Sequence, residues 1–220
     1  MFWEILDEPR RVLLRDLVEK TQVEESYLAG GTALALQIGH RESYDFDWFT
    51  PVEFDPHQVV RQLEEIGETM VSDMKRGTLH AIVRGMRVTW LWYPNPLLEP
   101  LLEMPSFPEM KMASLLDIGL MKWSAISGRG AMRDFVDLYM ICEQGYPLTR
   151  MKALLADKYP KAKINYYHMV KSLSYFEDAE NDLLPKMLIA VDWQQVKDYY
   201  RQQQKILMDE LMNDGTLLLR

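Results

Sequence analysis

Two aspartates spaced one residue apart, Asp45 and Asp47, lie among aromatic residues in the run Ser43-Tyr44-Asp45-Phe46-Asp47-Trp48-Phe49. In an extended strand, positions i and i+2 point the same way, so both carboxylates face one site while Phe46 and Trp48 face the core. Paired carboxylates of this kind are hard oxygen donors suited to Mg²⁺. Upstream, Gly30-Gly31-Thr32 opens an aliphatic helix. The glycines let the main chain approach phosphate oxygens, and the helix start aims its unpaired N–H groups at them, with the Thr32 hydroxyl beside them. An isolated Asp-x-Asp would read better as a solvated pair on an exposed strand. Joined to the glycine pair, it reads as a site for a nucleoside triphosphate and its metal ions. Arg41 and Ser43, just before the acids, are candidates to bind phosphate, because a cation beside a triphosphate stabilises developing charge.

The elements that must position these residues follow from periodicity. Residues 10–20 are predicted to form an amphipathic helix, residues 27–29 an apolar entry into the glycine pair, and residues 32–38 a buried helix. A strand over 45–50 stops at Pro51, and a helix follows over 55–66, capped by Asp55 ahead of Pro56. Gly77 and Gly85 then punctuate three predicted antiparallel strands, over 69–75, 78–83 and 87–92. Beyond the proline cluster that ends at Pro108 only helices are predicted, over 114–127, 131–144, 149–159, 165–177 and 193–211. The fold class is therefore α+β, a mixed sheet with flanking helices followed by a helical region. The expected domains are residues 1–110 and 111–220.

Composition narrows the class further. The chain of 220 residues is 48% hydrophobic and 26% charged, the balance of a folded globular protein. With 25 basic and 33 acidic residues its formal charge is -8, which disfavours an extensive basic surface for nucleic acid but leaves room for a local positive site. Cys142 is alone, so no disulfide forms within the chain, and its helical, apolar neighbours predict an inert thiol. No apolar run reaches membrane-spanning length, and the N-terminal residues lack a signal-peptide pattern, so a cytoplasmic location without membrane contact is expected. The four histidines, at 40, 57, 80 and 168, show no metal-ligand spacing, and the chain holds no P-loop or Gly-x-Ser-x-Gly elbow.

The run Gly30-Gly31-Thr32-Ala33-Leu34, His40-Arg41-Glu42-Ser43 and Asp45-Phe46-Asp47-Trp48-Phe49 resembles the first motif of the AbiEii/AbiGii toxin family of nucleotidyltransferases. A second block, Lys111 to Ile118 through Lys122, Arg129 and Arg133-Asp134-Phe135-Val136-Asp137-Leu138-Tyr139, resembles that family's later motif. The resemblance implies a DNA polymerase β-like nucleotidyltransferase fold in which a small mixed sheet holds the acids and a helical domain closes the cleft. It also implies transfer of a nucleoside monophosphate from a nucleoside triphosphate to a hydroxyl acceptor, tRNA or another RNA among them, and a toxin-like component of a toxin–antitoxin or phage-defence pair with a cognate antitoxin protein. Two other readings stay open: a nucleotide- or protein-binding module without turnover, and a small-molecule nucleotidyltransferase.

The second block adds Lys122, Arg129 and Arg133 as candidates to meet the triphosphate. Lys122 lies late on an otherwise apolar helix, where it either meets the triphosphate or snorkels to solvent. For Asp134 and Asp137, a structural salt bridge or cap is the favoured role. Enzymes of the polymerase β kind usually hold a third metal-binding carboxylate on a neighbouring strand, and here that strand, Met86 to Tyr93, has no acid. Either Asp73, Glu99 or Glu103 substitutes, or two carboxylates and water suffice, or turnover is lost.

Overall fold

Asp7 accepts a hydrogen bond from the Arg10 backbone N–H and Pro9 fixes the first turn, so the chain enters its first helix, α1 (Glu8–Lys20), already capped. The computed structural model describes residues 1–104 and 107–213, and the chain divides into two compact units between Ser114 and Leu115. After α1, the first unit runs β1 (Tyr27–Ala29), α2 (Gly30–Ile38), β2 (Phe46–Thr50), α3 (Pro56–Ile66), β3 (Thr69–Lys75), β4 (Thr78–Val83), β5 (Met86–Trp92), β6 (Leu102–Met104) and β7 (Phe107–Met112). The strands form one mixed sheet in the order β3-β4-β5-β2-β1-β7-β6. β2 pairs antiparallel with β1 but parallel with β5, and β1 pairs parallel with β7.

Alternation along the central strands sets the two faces of the sheet. Phe46 and Trp48 on β2, Val88 and Trp90 on β5, and Leu79, Ala81 and Val83 on β4 are all buried, with the Trp48 and Trp90 rings stacked at 6.0 Å. α3 packs on β3 and β4; its buried residues Val59, Leu63 and Ile66 recur at helical spacing. The positions between the buried ones, Asp47, Thr89 and His80 among them, are half-buried on the opposite face.

The predicted meander is present, and its turns fall at Gly77 and Gly85. The sheet is nevertheless wider than predicted. β6 and β7 lie in a stretch where two prolines argue against pairing, since proline removes a ladder donor. The strands tolerate this because Pro108 falls between the Met104–Phe107 and Glu103–Lys111 pairs, at a register irregularity.

The second unit is helical: α4 (Leu115–Arg129), α5 (Met132–Glu143), α6 (Leu148–Lys158), α7 (Tyr166–Ser172) and α8 (Trp193–Asn213). Phe135 sits at its centre, in ring contact with Phe176, Trp193 and Tyr200, and the Tyr200 hydroxyl donates to the Phe135 carbonyl at 2.8 Å. α7 ends at Ser172, short of the predicted 165–177, because the Ser172 hydroxyl turns back onto the Met169 carbonyl and the chain leaves in successive tight turns. Burial pushes the Cys142 thiol up to about 12, so it stays protonated and unreactive as predicted. Among the described residues no helix is long and apolar enough to cross a membrane.

Candidate active site

The first unit gathers seven of the predicted residues at the C-terminal end of β1. Gly30 leaves the strand with φ +66°, and an added Cβ there would lie 2.7 Å from Asp47 Oδ2. The antiparallel register explains the closeness, since Asp47 stands directly opposite Ala29, the residue before the glycine pair. Gly31 is equally constrained: its added Cβ would clash with the Arg41 guanidinium and lie 3.2 Å from Ser43 Oγ. Both Arg41 and Ser43 are buried. Thr32, in the first turn of α2, donates its hydroxyl to the Asp45 carbonyl at 2.5 Å and lies 2.8 Å from Ser43 Oγ.

Each part of this arrangement has a local cause. The residue before α2, Ala29, has no side chain that could cap the first N–H groups of the helix. Thr32 ties the segment before β2 to the helix start, so the approach to Asp45 and Asp47 is set by hydrogen bonds rather than by the loop alone. The site therefore brings a helix start, a guanidinium, hydroxyls and the Asp47 carboxylate into one small region, with Asp45 joined to it through its carbonyl. This donor set fits a triphosphate with divalent ions, because the N–H groups and Arg41 match phosphate oxygens while the carboxylates match hard cations.

A methyl group at Gly30 would disturb both functions. Gly30→Ala is expected to strain the backbone by about 1–2 kcal/mol, as a Cβ at positive φ does. It would also push the Asp47 carboxylate aside and slow any metal-dependent turnover by about a hundredfold, the usual consequence of misplacing a reacting group by an ångström. Steady-state rates alongside thermal melting would show the large effect on rate and the small one on stability.

Three acids are candidates for a third ligand, and the sheet order removes two of them. Asp73 lies on β3 and Glu103 on β6, each three strands from β2, or ~14 Å at the usual strand spacing. A magnesium ion binds oxygen at about 2.0–2.1 Å, so neither acid can share an ion with Asp47. Glu99 lies in the segment between β5 and β6, and among the described residues no group of three or more His, Cys, Asp or Glu could hold a metal. The residue directly opposite Asp47 on β5 is Thr89.

In the second unit, Lys122 is buried and does not snorkel. Its Nζ lies 2.8 Å from Asp134 Oδ1 and 2.6 Å from Asp137 Oδ2, and both acids are fully buried. Arg129 approaches the same carboxylate of Asp134 with Nε at 2.8 Å and Nη2 at 3.1 Å. Arg133, the remaining basic candidate, is exposed. The salt-bridge role favoured for Asp134 and Asp137 is therefore the one they occupy. A second buried pair joins Lys158 Nζ to Asp117 Oδ1 at 2.6 Å. It has no signature in the sequence, since a lysine at the end of a helix gives no sign that it points inward.

Burial raises the proton affinity of Asp134, but Lys122 and Arg129 outweigh it and hold the carboxyl below its ordinary range. With the folded pKa below the unfolded one, this group's stabilisation is complete above about pH 4 and is lost as the pH falls through the folded value. Urea midpoints of the protein between about pH 2.5 and 6 should decline at the acid end. Asp134→Asn should flatten that decline while lowering stability throughout.

A family model described as nucleotidyl transferase AbiEii toxin, type IV toxin–antitoxin system, matches residues 93–210, just over half the chain. It spans the Lys122 to Asp137 network, whereas the glycine pair and Asp45–Asp47 precede it. An uncharacterised protein from Aquifex aeolicus is 33% identical over 209 residues, covering 91% of this chain and 96% of its own length. Among solved structures, MenT4, a nucleotidyltransferase toxin from Mycobacterium tuberculosis, superposes with a TM-score of 0.58 at 16% identity, over 91% of this chain and 82% of that one. A protein from H. pylori described as a nucleotidyltransferase superposes with a TM-score of 0.54 at 14% identity, over 94% and 98%. At these identities the two structures speak to the fold, which is that of nucleotidyltransferases.

Proposed function

Because this chain belongs to the AbiEii nucleotidyl transferase toxin family, we propose that it is a Mg²⁺-dependent enzyme that moves a nucleoside monophosphate from a nucleoside triphosphate to a hydroxyl of RNA, tRNA ends among them. The observation that supports this reading most directly is the closeness of Asp47 to Gly30, which sets a carboxylate against a helix start suited to phosphate. In the reaction the acceptor oxygen forms a bond to the α-phosphorus, the bond to the β-phosphate oxygen breaks, pyrophosphate leaves, and the hydroxyl proton passes to solvent.

The chain's own residues position and neutralise. Backbone N–H groups at Gly30 and Gly31, the Ser43 hydroxyl and the Arg41 guanidinium hold the triphosphate, while Thr32 gives its proton to the Asp45 carbonyl and fixes that segment to the helix start. Asp45 and Asp47 would hold divalent ions, which when bound supply Lewis-acid neutralisation of the phosphate charge. Lys122 and Arg129 are paired with Asp134 and Asp137 inside the helical unit, so their part in this reading is to hold α4 and α5 together, with the exposed Arg133 beside them. The cellular setting we propose is the cytoplasm, as the toxin of a pair whose antitoxin is a separate protein.

A binding module without turnover is the second reading, favoured by Thr89 in the place where a third carboxylate would stand. Incubation with each labelled triphosphate, Mg²⁺ and total RNA separates the readings. Label on RNA that disappears in Asp45→Asn and Asp47→Asn supports the enzyme. Nucleotide binding with no transfer supports the module, and transfer to small hydroxyl compounds alone overturns the RNA acceptor.

A further inference from the structure

One row of residues crosses the open face of the sheet beside Asp47. Asp47 on β2 stands opposite Thr89 on β5, Thr89 opposite His80 on β4, and His80 opposite Asp73 on β3. Directly opposed residues on neighbouring strands share a face with Cβ atoms about 5 Å apart. Thr89 is therefore the side chain of β5 nearest the Asp47 carboxylate, and it presents a hydroxyl. That hydroxyl is fixed: Thr89 Oγ1 lies 3.1 Å from His80 Nδ1. Threonine has few χ1 rotamers, and a hydrogen bond to a ring nitrogen selects one of them. When Nδ1 accepts the hydroxyl proton, the lone pairs of Oγ1 are left for a neighbour.

We infer that Thr89 Oγ1, oriented by His80, is the third oxygen of the Asp45–Asp47 site, a neutral donor standing where related sites use a carboxylate. This rests on reading Asp45 and Asp47 as the divalent-ion site. Thr89 touches the ions or their water; His80 is a positioning residue that acts through it. A site with two formal negative charges attracts divalent ions less strongly than one with three.

The variants Thr89→Val, Thr89→Ser, Thr89→Asp and His80→Ala test this, with Mn²⁺ affinity of the nucleotide-free protein measured by electron paramagnetic resonance and transfer measured by kcat and KM. Thr89→Val keeps the shape of the side chain and removes only the hydroxyl, so it should fold. It is expected to weaken Mn²⁺ binding and lower kcat by roughly tenfold, the scale of one charge-assisted interaction. Thr89→Ser should restore both, because it restores the oxygen. Thr89→Asp should tighten Mn²⁺ binding by roughly tenfold or more through the added charge. His80→Ala should lower kcat in the same direction as Thr89→Val with little change in KM for the triphosphate. If Thr89→Val and Thr89→Asp both leave Mn²⁺ affinity unchanged while Asp47→Asn reduces it, Thr89 is no part of the site and the inference fails alone. If Asp47→Asn also leaves it unchanged, the metal-site reading fails and takes the inference with it.

Discussion

Asp47→Asn is expected to lower nucleotidyl transfer by on the order of a thousandfold or more, because removing a carboxylate from a metal-dependent phosphoryl centre forfeits several kcal/mol of transition-state stabilisation. The effect on folding should be small. An asparagine at this position keeps the shape of the side chain over Gly30, and relief of repulsion between two nearby acids offsets the weakened hydrogen bonding. Asp47 is half-buried, so its replacement opens no cavity in the core. Transfer rates measured beside thermal melting curves check both halves. An unchanged turnover number in the variant would remove Asp47 from the chemistry, whereas a large fall in melting temperature would recast it as a structural residue.

Lys122→Met should have the largest effect on stability. Lys122 bridges Asp134 and Asp137, and both acids are fully buried. Removing one partner of a buried pair leaves an uncompensated charge and costs about 3–5 kcal/mol. For a chain of this length each kcal/mol lowers the melting temperature by roughly 2–4 °C. Arg129 still covers Asp134 in the variant, so the charge that suffers most is that of Asp137. Adding Asp137→Asn to Lys122→Met should therefore recover much of the loss, as a double-mutant cycle on chemical denaturation would measure. Equal destabilisation by the single and double changes would mean that packing of the lysine stem, and not its charge, is what α4 and α5 require.

The two substitutions separate two kinds of information in the chain. Asp47 and the glycine pair were legible as a candidate site because spacing alone fixes their directions: a strand alternates and a helix start exposes N–H groups whatever surrounds them. The predicted strand over 45–50 begins one residue later, at Phe46, so Asp45 lies just outside it, where its carbonyl accepts from Thr32. Thr89 and His80 were not legible as neighbours of Asp47. Their adjacency depends on the register of β2 against β5 and of β5 against β4, and a shift of one residue would have turned every side chain to the other face.

Lys122 shows the same divide. Its place on an apolar helix was plain, but a long cationic side chain can either reach solvent or turn inward. It is the packing of α5 against α4 that brings Asp134 and Asp137 to meet it. Strands β6 and β7 escaped for a related reason, since local proline content argued against a pairing that a neighbouring strand nevertheless supports at Leu28 and Met112.

Element order through most of the chain, the glycine turn, the paired acids and the family resemblance can all be read without coordinates, because each rests on local periodicity and backbone geometry. Three matters cannot: which residues stand beside Asp47, which distant acids are too far to share an ion with it, and which cations meet the buried aspartates. Those outcomes follow from strand order and helix packing, which join residues far apart in the chain and which no local pattern encodes.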